Sequence, residues 1–544
     1  MNFNNFEGTE ALRKLAKLDK PSFASKKEEP KTSFYPSDSL VAKLMYKNNS
    51  SEFAKNLSNI ISDHLINSNE PNAQDKLEEI IKNYIAESIT NGLVPMNFSK
   101  TIDREIDYEY LNTANNTFID AVLQCMKDIR DSVVDPRKRT SIIYPCDVMM
   151  IIIILAKLNG MNIATEIASY YRLHNEELQD LIPGMPDEKY KLSASTINNF
   201  IGMIDPKIIE KFFRIFFGKV RTTLDNLITT NNQRERPDFA SKNTISFDGQ
   251  EITNSFRRGE SSRRKKGAIS VTTFNSTTKT ALAYKTVAKK NQETEAFLSM
   301  IPNLEVRGSV IMCDALNSRK NVSKMILDCG ADYLLSLKNN GGNKELRNHI
   351  EAIFNREEAV KQEEIINASP YVQKDHGRID TTLISILPAK YLDPRIKNPH
   401  DKAGSIVKYI KISSKIINGN QVESTTTTRY YLSSLEATKE NAEQIKYSIL
   451  DYWFIESHHG ILDNPNVLNQ DSTQSCRESF LSNTVGLNKI TYNILSWIKK
   501  DLESKGKKKY SYRLIQSELS MQPVIVTLEY LARYYQENIF TEEA

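Results

Sequence analysis

Three carboxylates lie in sequence surroundings that suit a binding site for divalent cations. Asp248 and Asp314 each end a short apolar run, and Glu456 lies in a segment with helical periodicity. Mg²⁺ prefers oxygen ligands and needs only a few protein carboxylates, because waters and substrate phosphates complete its coordination shell. An aspartate after a strand is otherwise a turn former or a helix cap, but the three acids together predict a magnesium site that acts on phosphodiesters.

Strand and helix patterns alternate around the two aspartates. Period-two alternation predicts strands at 244–247, 268–275, 279–287, 309–313 and 332–337, and helical spacing predicts helices at 292–300 and 319–329. Further β-rich pieces, separated by polar loops, occur at 381–387, 406–417 and 425–432. This order indicates an α/β core that carries a β-rich insertion at about 339–435.

The segment around Glu456 has a helical pattern. Four of its residues recur at helical spacing on one face: Ile445, Ile449, Tyr452 and Glu456. This spacing places Glu456 on the side that faces the core. A carboxylate that faces a core needs a partner, and a metal shared with the two aspartates is one. The alternative is a surface glutamate, of which helices carry many.

The composition describes a large globular chain that is close to neutral. Of 544 residues, 40% are apolar, and 72 Lys and Arg against 68 Asp and Glu give a net charge of +4. A nucleic-acid surface would therefore require local clustering of cations. The five cysteines lack CxxC spacing, which favours a reducing, cytoplasmic compartment and disfavours a zinc site. The longest apolar run, 148–156, is shorter than the roughly 20 residues that a membrane helix needs, so we expect no membrane partner.

Composition and periodicity divide the chain into five predicted segments. A flexible tether at 1–39 precedes a helical extension at 40–135 and a second helical domain at 136–235, in which Asp205-Pro206 begins a helix. The α/β core occupies 236–500, and a basic helical tail follows at 501–544.

Several short motifs occur in an order that resembles a known family. They are Asp248-Gly249-Gln250, Lys289-Lys290-Asn291-Gln292-Glu293, Asp314-Ala315, Gly330-Ala331-Asp332-Tyr333 before Lys338-Asn339-Asn340, His376-Gly377-Arg378-Ile379-Asp380, Trp453-Phe454-Ile455-Glu456, and the pair Asn483 and Asn493. Their order and spacing resemble the DDE transposases of bacterial insertion sequences, in the H-repeat-associated branch. Upstream, Leu192-Ser193-Ala194-Ser195-Thr196 and Asp205-Pro206 resemble the N-terminal domain that accompanies this family.

The chain departs from the family pattern near Glu456. Tyr452 stands where the family has His, and Leu450 stands where Arg is expected. The segment after Glu456 is shorter, and Gln470-Asp471 replaces the Glu-Asp of the family. These differences bear on how Glu456 is oriented and on whether catalysis is retained.

The resemblance implies an α/β ribonuclease-H-like catalytic domain preceded by helical domains. It implies that Asp248, Asp314 and Glu456 are catalytic and hold two Mg²⁺ ions, which Mn²⁺ can replace, with Asp248 bridging both. The implied partners are double-stranded DNA, at the element ends and at the target, and a second copy of the chain on that DNA in the bacterial nucleoid. Two alternatives stay open: a transposase-derived DNA-binding protein without catalysis, and a stand-alone metal-dependent nuclease.

Basic residues cluster between the first two predicted strands, with Glu260 as the one acid among them. They are Arg257, Arg258, Arg263, Arg264, Lys265 and Lys266. Such a loop could neutralise DNA phosphates, or it could be a solvated hairpin tip. Lys338, His376 and Arg378 belong to the motifs of the family, and we expect them near the acids, where they would position the scissile phosphate. Lys338 could equally be a surface lysine, and Gly377 could simply enforce a turn.

Overall fold

The computed structural model describes most of the chain from residue 142 onward. The described residues are 142–539, without 183, 187–188, 219–241, 256–266, 340–341, 356–361, 376, 397–399, 418–419, 474, 476 and 507–509, together with 125–127, 129, 131 and 135–137. All of them belong to one compact unit of the chain. The predicted tether at 1–39 and nearly all of the predicted extension at 40–135 lie outside the described residues.

Five helices lie in the described part of the helical domain predicted at 136–235. They are α1 (Cys146–Leu158), α2 (Ala164–Leu173), α3 (Asn175–Leu181), α4 (Ala194–Met203) and α5 (Pro206–Gly218). Ser193 caps α4 by accepting a hydrogen bond from the amide of Thr196. Asp205 likewise accepts one from the amide of Lys207 at the start of α5. The helix start that Asp205-Pro206 predicted is confirmed.

Helix α1 contains the longest apolar run of the chain and is buried along all 13 of its residues. Its Lys157 ammonium donates hydrogen bonds to the Asn488 side chain at 2.8 Å and to the Asn162 carbonyl at 3.1 Å. These bonds satisfy a buried charge and anchor the helix. Among the helices that the structure describes, none is long and apolar enough to cross a membrane.

A ten-stranded mixed sheet follows the helices. Its strands are β1 (Thr244–Glu251), β2 (Ile269–Asn275), β3 (Thr280–Val287), β4 (Val310–Cys313), β5 (Asp332–Leu337), β6 (Ile366–Asn367), β7 (Tyr371–Asp375), β8 (Arg378–Pro388), β9 (Ser405–Ile417) and β10 (Asn420–Ser433). The order is β3-β2-β1-β4-β5-β10-β9-β8-β6, with β7 paired to β8. β4 runs parallel to β1 and to β5, and the other neighbours are antiparallel. The β-rich insertion predicted at about 339–435 therefore extends the sheet of the α/β core.

The two faces of the sheet pack against different helices. These helices are α6 (Glu293–Met300), α7 (Lys320–Asp328), α8 (Lys344–Asn355), α9 (Lys439–Tyr452) and α10 (Phe454–Asp463). Side chains alternate between the faces along a strand. Phe247 and Cys313 lie in one core with Phe297 of α6. Met312 lies in the other core with Ile445 of α9, so this second face looks toward the helices that lead to Glu456.

Three C-terminal helices complete the described chain. They are α11 (Glu478–Ser504), α12 (Tyr512–Ser520) and α13 (Val524–Ile539). The Asn483 amide donates to the carbonyls of Ile201 and Ile204 at 2.7 and 2.8 Å. Asn493 bonds both backbone groups of Ala281 at 2.9 Å. The two motif asparagines thus connect α11 to α4 and to β3. Because α11 continues to Ser504, it crosses the domain boundary predicted at residue 500.

Candidate active site

The two aspartates are brought together by adjacent parallel strands. Phe247 of β1 and Cys313 of β4 are partners in the strand register, and each precedes an aspartate. Because neighbouring strands lie about 4.8 Å apart, Asp248 within β1 and Asp314 directly after β4 lie side by side. Phe247 and Cys313 face the α6 side, so strand alternation directs Asp248 to the opposite face, where α10 contacts β1.

Glu456 lies on α10, on the same side of the sheet as the two aspartates. It does not lie on the core-facing side of its helix, which its spacing predicted. Helix α9 ends at Tyr452 and α10 begins at Phe454, so the period counted from Ile445 does not continue to Glu456. Its side chain is exposed, which corrects the prediction that it faces the core. As a first-turn residue of α10, its carboxylate lies at the favourable end of the helix dipole.

Asp248, Asp314 and Glu456 line one cavity of about 550 Å³. Several cationic, polar and aromatic side chains share its wall, namely Lys338, Asn339, Arg347, Thr428, Arg429, Tyr452 and Trp453. The cavity thus combines acids that could bind cations with cations that could bind a phosphate. The structure brings the three predicted acids together, while their catalytic and metal-binding roles stay predictions.

Asp314 is oriented by a buried asparagine. Both the backbone amide and the side-chain amide of Asn317 donate to Asp314 Oδ1 at 3.0 Å. The hydroxyl of Thr294 donates to Asn317 Oδ1 at 2.7 Å, which fixes the direction of that side-chain amide. The other oxygen, Asp314 Oδ2, lies 4.0 Å from the Lys338 ammonium. The two Asn317 amides therefore hold one oxygen of the Asp314 carboxylate, and the other oxygen faces the Lys338 ammonium.

Asp248 has a comparable arrangement on its own strand. Its Oδ1 accepts the Gly249 amide at 2.9 Å, and its Oδ2 lies 4.0 Å from His459 Nδ1. Behind it, the Lys489 ammonium donates at 2.8 Å to the hydroxyl of Thr272, the residue that pairs with Asp248 in the strand register. Burial lowers the pKa of Lys489 to about 7 and that of His459 to about 3. Asp248 therefore has a neutral imidazole as its neighbour at neutral pH.

The phenol of Tyr452 lies among all three acids. Burial raises its pKa well above the usual value, and the negative charges of Asp248, Asp314 and Glu456 raise it further. Burial also raises the pKa of Glu456, while the nearby Arg429 guanidinium lowers it. Tyr452 is thus a neutral hydroxyl in the cavity, at the position where the family pattern has His.

The predicted DNA-binding residues have different outcomes. Lys338 lines the cavity beside Asp314, as expected. Arg378 does not line it, which corrects the expectation that it lies near the acids. Arg378 pairs with Lys415 of β9, and Arg429 pairs with Tyr409 of the same strand. These two β9 residues are six positions apart, which corresponds to about 20 Å along the strand. The other predicted contacts, His376 and the basic loop residues Arg257, Arg258, Arg263, Arg264, Lys265 and Lys266, lie outside the described residues.

Sequence reasoning missed several residues of the cavity and of its support. Arg347 and Arg429 lie in segments that were interpreted only as parts of the insertion, and β10 brings Arg429 beside β5 and the acids. Lys489 had a usable signal, since it interrupts the apolar face of a long helix. In the described part of the chain, no group of three or more His, Cys, Asp or Glu forms a ready-made metal site. The acids therefore share a cavity without forming a complete coordination cage.

Comparison with known proteins agrees with the resemblance seen in the motifs. The family model DDE_Tnp_1-associated matches residues 128–217. The chain is 26% identical over 258 residues to "H repeat-associated putative transposase YhhI" and 27% identical over 258 residues to "Putative protein YbfL", both of Escherichia coli K12. Each match covers 47% of this chain and spans 64% of the relative's length. The resemblance to the H-repeat-associated branch of DDE-type transposases is confirmed.

Two further proteins extend the comparison. "Putative transposase YncI" of Escherichia coli O157:H7 is 23% identical over 387 residues, which cover 69% of this chain and 87% of that protein. A solved piggyBac transposase synaptic complex with hairpin DNA aligns with 77% of this chain and 84% of its own, at 14% identity and a TM-score of 0.35. A TM-score this low does not establish a shared fold.

Proposed function

We propose that this protein is a DNA transposase that binds the ends of a mobile element and catalyses strand cleavage and strand transfer. The observation that carries the proposal is the cavity shared by Asp248, Asp314 and Glu456. These acids are remote in sequence and come from a strand, a strand end and a helix. Relatives that carry the transposase name support the same class of reaction.

A ribonuclease-H-like core is part of this proposal. Strands β1 to β3 are antiparallel neighbours, and β4 and β5 continue the sheet in parallel on the other side of β1. Asp248 on β1, Asp314 after β4 and Glu456 on α10 follow the order of strand, strand and helix that the resemblance implies. This order supports the assignment of the core.

The three carboxylates would hold two Mg²⁺ ions, and the donor set fits such ions. All three donors are hard oxygens, and Mg²⁺ usually takes only one or two protein carboxylates alongside waters and substrate phosphates. Asp248, Asp314 and Glu456 would be the protein ligands of these ions. Bound there, divalent cations would activate the attacking oxygen and stabilise the leaving 3′-oxygen.

The proposed reaction has two steps, and residues of the chain assist in both. Attack of a water oxygen on the phosphorus at the element end releases a 3′-hydroxyl. That hydroxyl then attacks a target phosphodiester, and the 3′-oxygen of the target departs as the new P–O bond forms. Lys338 and Arg429 would hold the phosphate beside acids that otherwise repel it. Tyr452, kept protonated by its raised pKa, would donate a hydrogen bond to an oxygen in the cavity.

Double-stranded DNA is the proposed substrate, and two copies of the chain would pair two element ends. The basic loop at 257–266 and His376 stay predicted DNA contacts. A second candidate function is DNA binding without catalysis. It is favoured by Tyr452, which stands where the family pattern has His.

Incubation with supercoiled plasmid and candidate element-end DNA, in Mg²⁺ or Mn²⁺, tests the proposal. We expect end DNA joined to plasmid, visible as a labelled product on a denaturing gel. Nicked plasmid without joined product would identify a nuclease instead. Binding of end DNA without nicks or joints would identify the DNA-binding candidate and refute the transposase.

Replacing Asn317 by Ala is expected to weaken divalent-cation binding about tenfold or more. The variant loses the side-chain amide that holds Asp314 Oδ1, so the carboxylate gains freedom that cation binding must then remove. Titration of the full chain with Mn²⁺ by isothermal calorimetry measures the affinity.

Asn303→Ala is the matched control for this variant. The Asn303 amide donates to the Ser299 carbonyl at 3.2 Å on the exposed surface. We expect its Mn²⁺ affinity to equal that of the parent chain. If Asn317→Ala also kept the parent affinity while folding normally, Asn317 would not position Asp314 for a cation.

A further inference from the structure

We infer that Thr277 and Lys279 are positioning residues for Glu456. Both belong to the turn at 276–279 that joins β2 to β3, and this turn holds the junction at which α9 ends and α10 begins. The two side chains act on the reaction through Asp451 and Phe454, without touching a cation or DNA. The inference rests on the proposed function, since it takes Glu456 as one of the catalytic acids.

The junction between α9 and α10 has no local cause in the sequence. Helix α9 ends at Tyr452, and α10 begins at Phe454. The residues from Asp451 to Glu456 include neither Pro nor Gly, which are the usual causes of a sharp break in a helix. No side chain that the structure describes caps the start of α10. The direction in which α10 leaves α9 therefore depends on contacts with other segments, and so does the position of Glu456.

The β2–β3 turn contacts both sides of this junction. The hydroxyl of Thr277 donates to Asp451 Oδ2 at 3.3 Å, in the last turn of α9. The ammonium of Lys279 lies over the ring of Phe454, the first residue of α10, 4.4 Å from the ring centroid. A cation at this distance from an aromatic face is attracted to it. One turn thus holds the end of one helix and the start of the next, on either side of Trp453.

Thr277 also connects the junction to the strand that carries Asp248. Its hydroxyl accepts a hydrogen bond at 2.9 Å from the amide of Thr244, the first residue of β1. The same hydroxyl donates to Asp451, so a single side chain joins β1 to the end of α9. Asp248 lies on β1 and Glu456 lies just past the junction. The turn therefore helps to set the separation between the two acids.

Lys279 has a backbone conformation that costs stability. Its φ is +55°, in the left-handed region that glycine adopts freely and residues with a Cβ adopt rarely. The hydroxyl of Ser496 on α11 donates to the Lys279 carbonyl at 3.3 Å, which helps to hold this conformation. Strained backbone of this kind persists where surrounding contacts maintain it, and it occurs often at functional sites. At this position a lysine provides what a glycine cannot, which is the cation over Phe454.

Removing the ammonium tests the role of Lys279 in the reaction. Lys279→Met is expected to slow single-turnover cleavage of end DNA about tenfold, since a shift of about 1 Å in a reacting group can cost about 100-fold. The affinity for end DNA in EDTA should not change. Lys279→Arg should restore most of the rate, because a guanidinium also lies well over an aromatic ring. Lys285→Met is the matched control, since the Lys285 ammonium donates to the Ser299 hydroxyl of α6 at 3.1 Å.

Lys279→Gly separates positioning from the stability of the fold. Glycine relieves the strain at positive φ, so this variant should unfold at a higher urea concentration than Lys279→Met. It also lacks the ammonium, so its cleavage should be no faster than that of Lys279→Met. If cleavage recovered together with stability, Lys279 would act only through the stability of the turn, and the inference would be wrong.

Hydrogen exchange of the full chain, without DNA or metal, tests the junction independently of catalysis. We expect amides in the peptide 451–460 to exchange severalfold faster in Lys279→Met and in Thr277→Val than in the parent, and at the parent rate in Lys285→Met.

The two measurements separate this inference from the proposed function. If exchange in 451–460 is unchanged in both turn variants while the parent cleaves and joins DNA, the positioning role is wrong and the function stands. If exchange rises in both variants and the parent cleaves no DNA under any metal condition, the turn holds the junction and the transposase proposal fails.

Discussion

Replacing Asp314 by Asn is expected to reduce single-turnover DNA cleavage by about 10³-fold or more, with little change in DNA affinity. Asn has the shape of Asp and its side-chain oxygen can still accept the Asn317 amides, so the fold and the strand end are preserved. The change removes the negative charge that would hold a divalent cation in the cavity. Cleavage of labelled end DNA under enzyme excess measures the rate, and filter binding in EDTA measures the affinity.

Asp328→Asn is the matched control for the loss of one carboxylate. Asp328 lies on the outer surface of α7, paired with Lys324 at 2.8 Å, and more than half of its side chain is exposed. Exposed pairs of this kind contribute little to stability, so stability and cleavage should both stay near parent values. If the Asp314→Asn variant cut DNA as fast as the parent, Asp314 would have no role in the reaction.

The centre of the sheet was predictable because its strands carry strong local patterns. β5 has the bounds predicted from sequence, and β1 to β4 differ from prediction mainly at their ends. Buried strands in parallel contact are short apolar runs, and an acid that follows such a run leaves the sheet at its edge. That rule alone led to Asp248 and Asp314. The rule required no knowledge of which strands are neighbours. It describes Asp314, which follows the end of β4, but β1 continues past Asp248 to Glu251.

The parts that escaped prediction depend on contacts between distant segments. Strand β7 carries mostly polar residues, and among the described strands it pairs with β8. Helix α8 is the exception, because Leu346, Ile350 and Ile353 recur at helical spacing and provide a local signal. Arg429 gives no local sign of its role, because it enters the cavity only when β10 pairs with β5. Glu456 was correctly grouped with the aspartates but was assigned to the wrong face. The interruption at Trp453 moves it there, and no Pro or Gly marks that interruption in the sequence.

The motif asparagines illustrate how a family pattern mixes structural and chemical positions. Asn483 and Asn493 lie on α11 and bond backbone groups of α4 and β3, away from the acids. A buried asparagine that satisfies backbone donors and acceptors fixes the register of a helix against its neighbours. These two positions therefore fix how α11 packs against α4 and β3, whereas the acids are the candidates for catalysis.

Replacing Gly404 by Ala is expected to destabilise the fold by about 3 kcal/mol, because the space for its Cβ is occupied by main chain. Gly404 precedes β9, and its amide donates to the Ser433 carbonyl at 2.9 Å. A Cβ there would lie 2.6 Å from the carbonyl oxygen of Leu435 and 2.7 Å from that of Ser434. A side chain could rotate away, but these backbone atoms directly follow β10, and the pairing of β10 with β9 and β5 limits how far they can move. Overpacking of this kind typically costs about 1–3 kcal/mol, and immobile backbone puts it at the upper end.

Gly460→Ala provides the opposite expectation within the same protein. Gly460 is an exposed residue of α10, and a Cβ there would meet nothing within 4 Å. Alanine favours the helix over glycine by about 1 kcal/mol, so this variant should unfold at a slightly higher urea concentration than the parent. Urea midpoints followed by circular dichroism should therefore rank Gly404→Ala below the parent and Gly460→Ala above it. An unchanged midpoint for Gly404→Ala would mean that β9 and β10 separate there without cost, which contradicts a continuous sheet from β5 to β8.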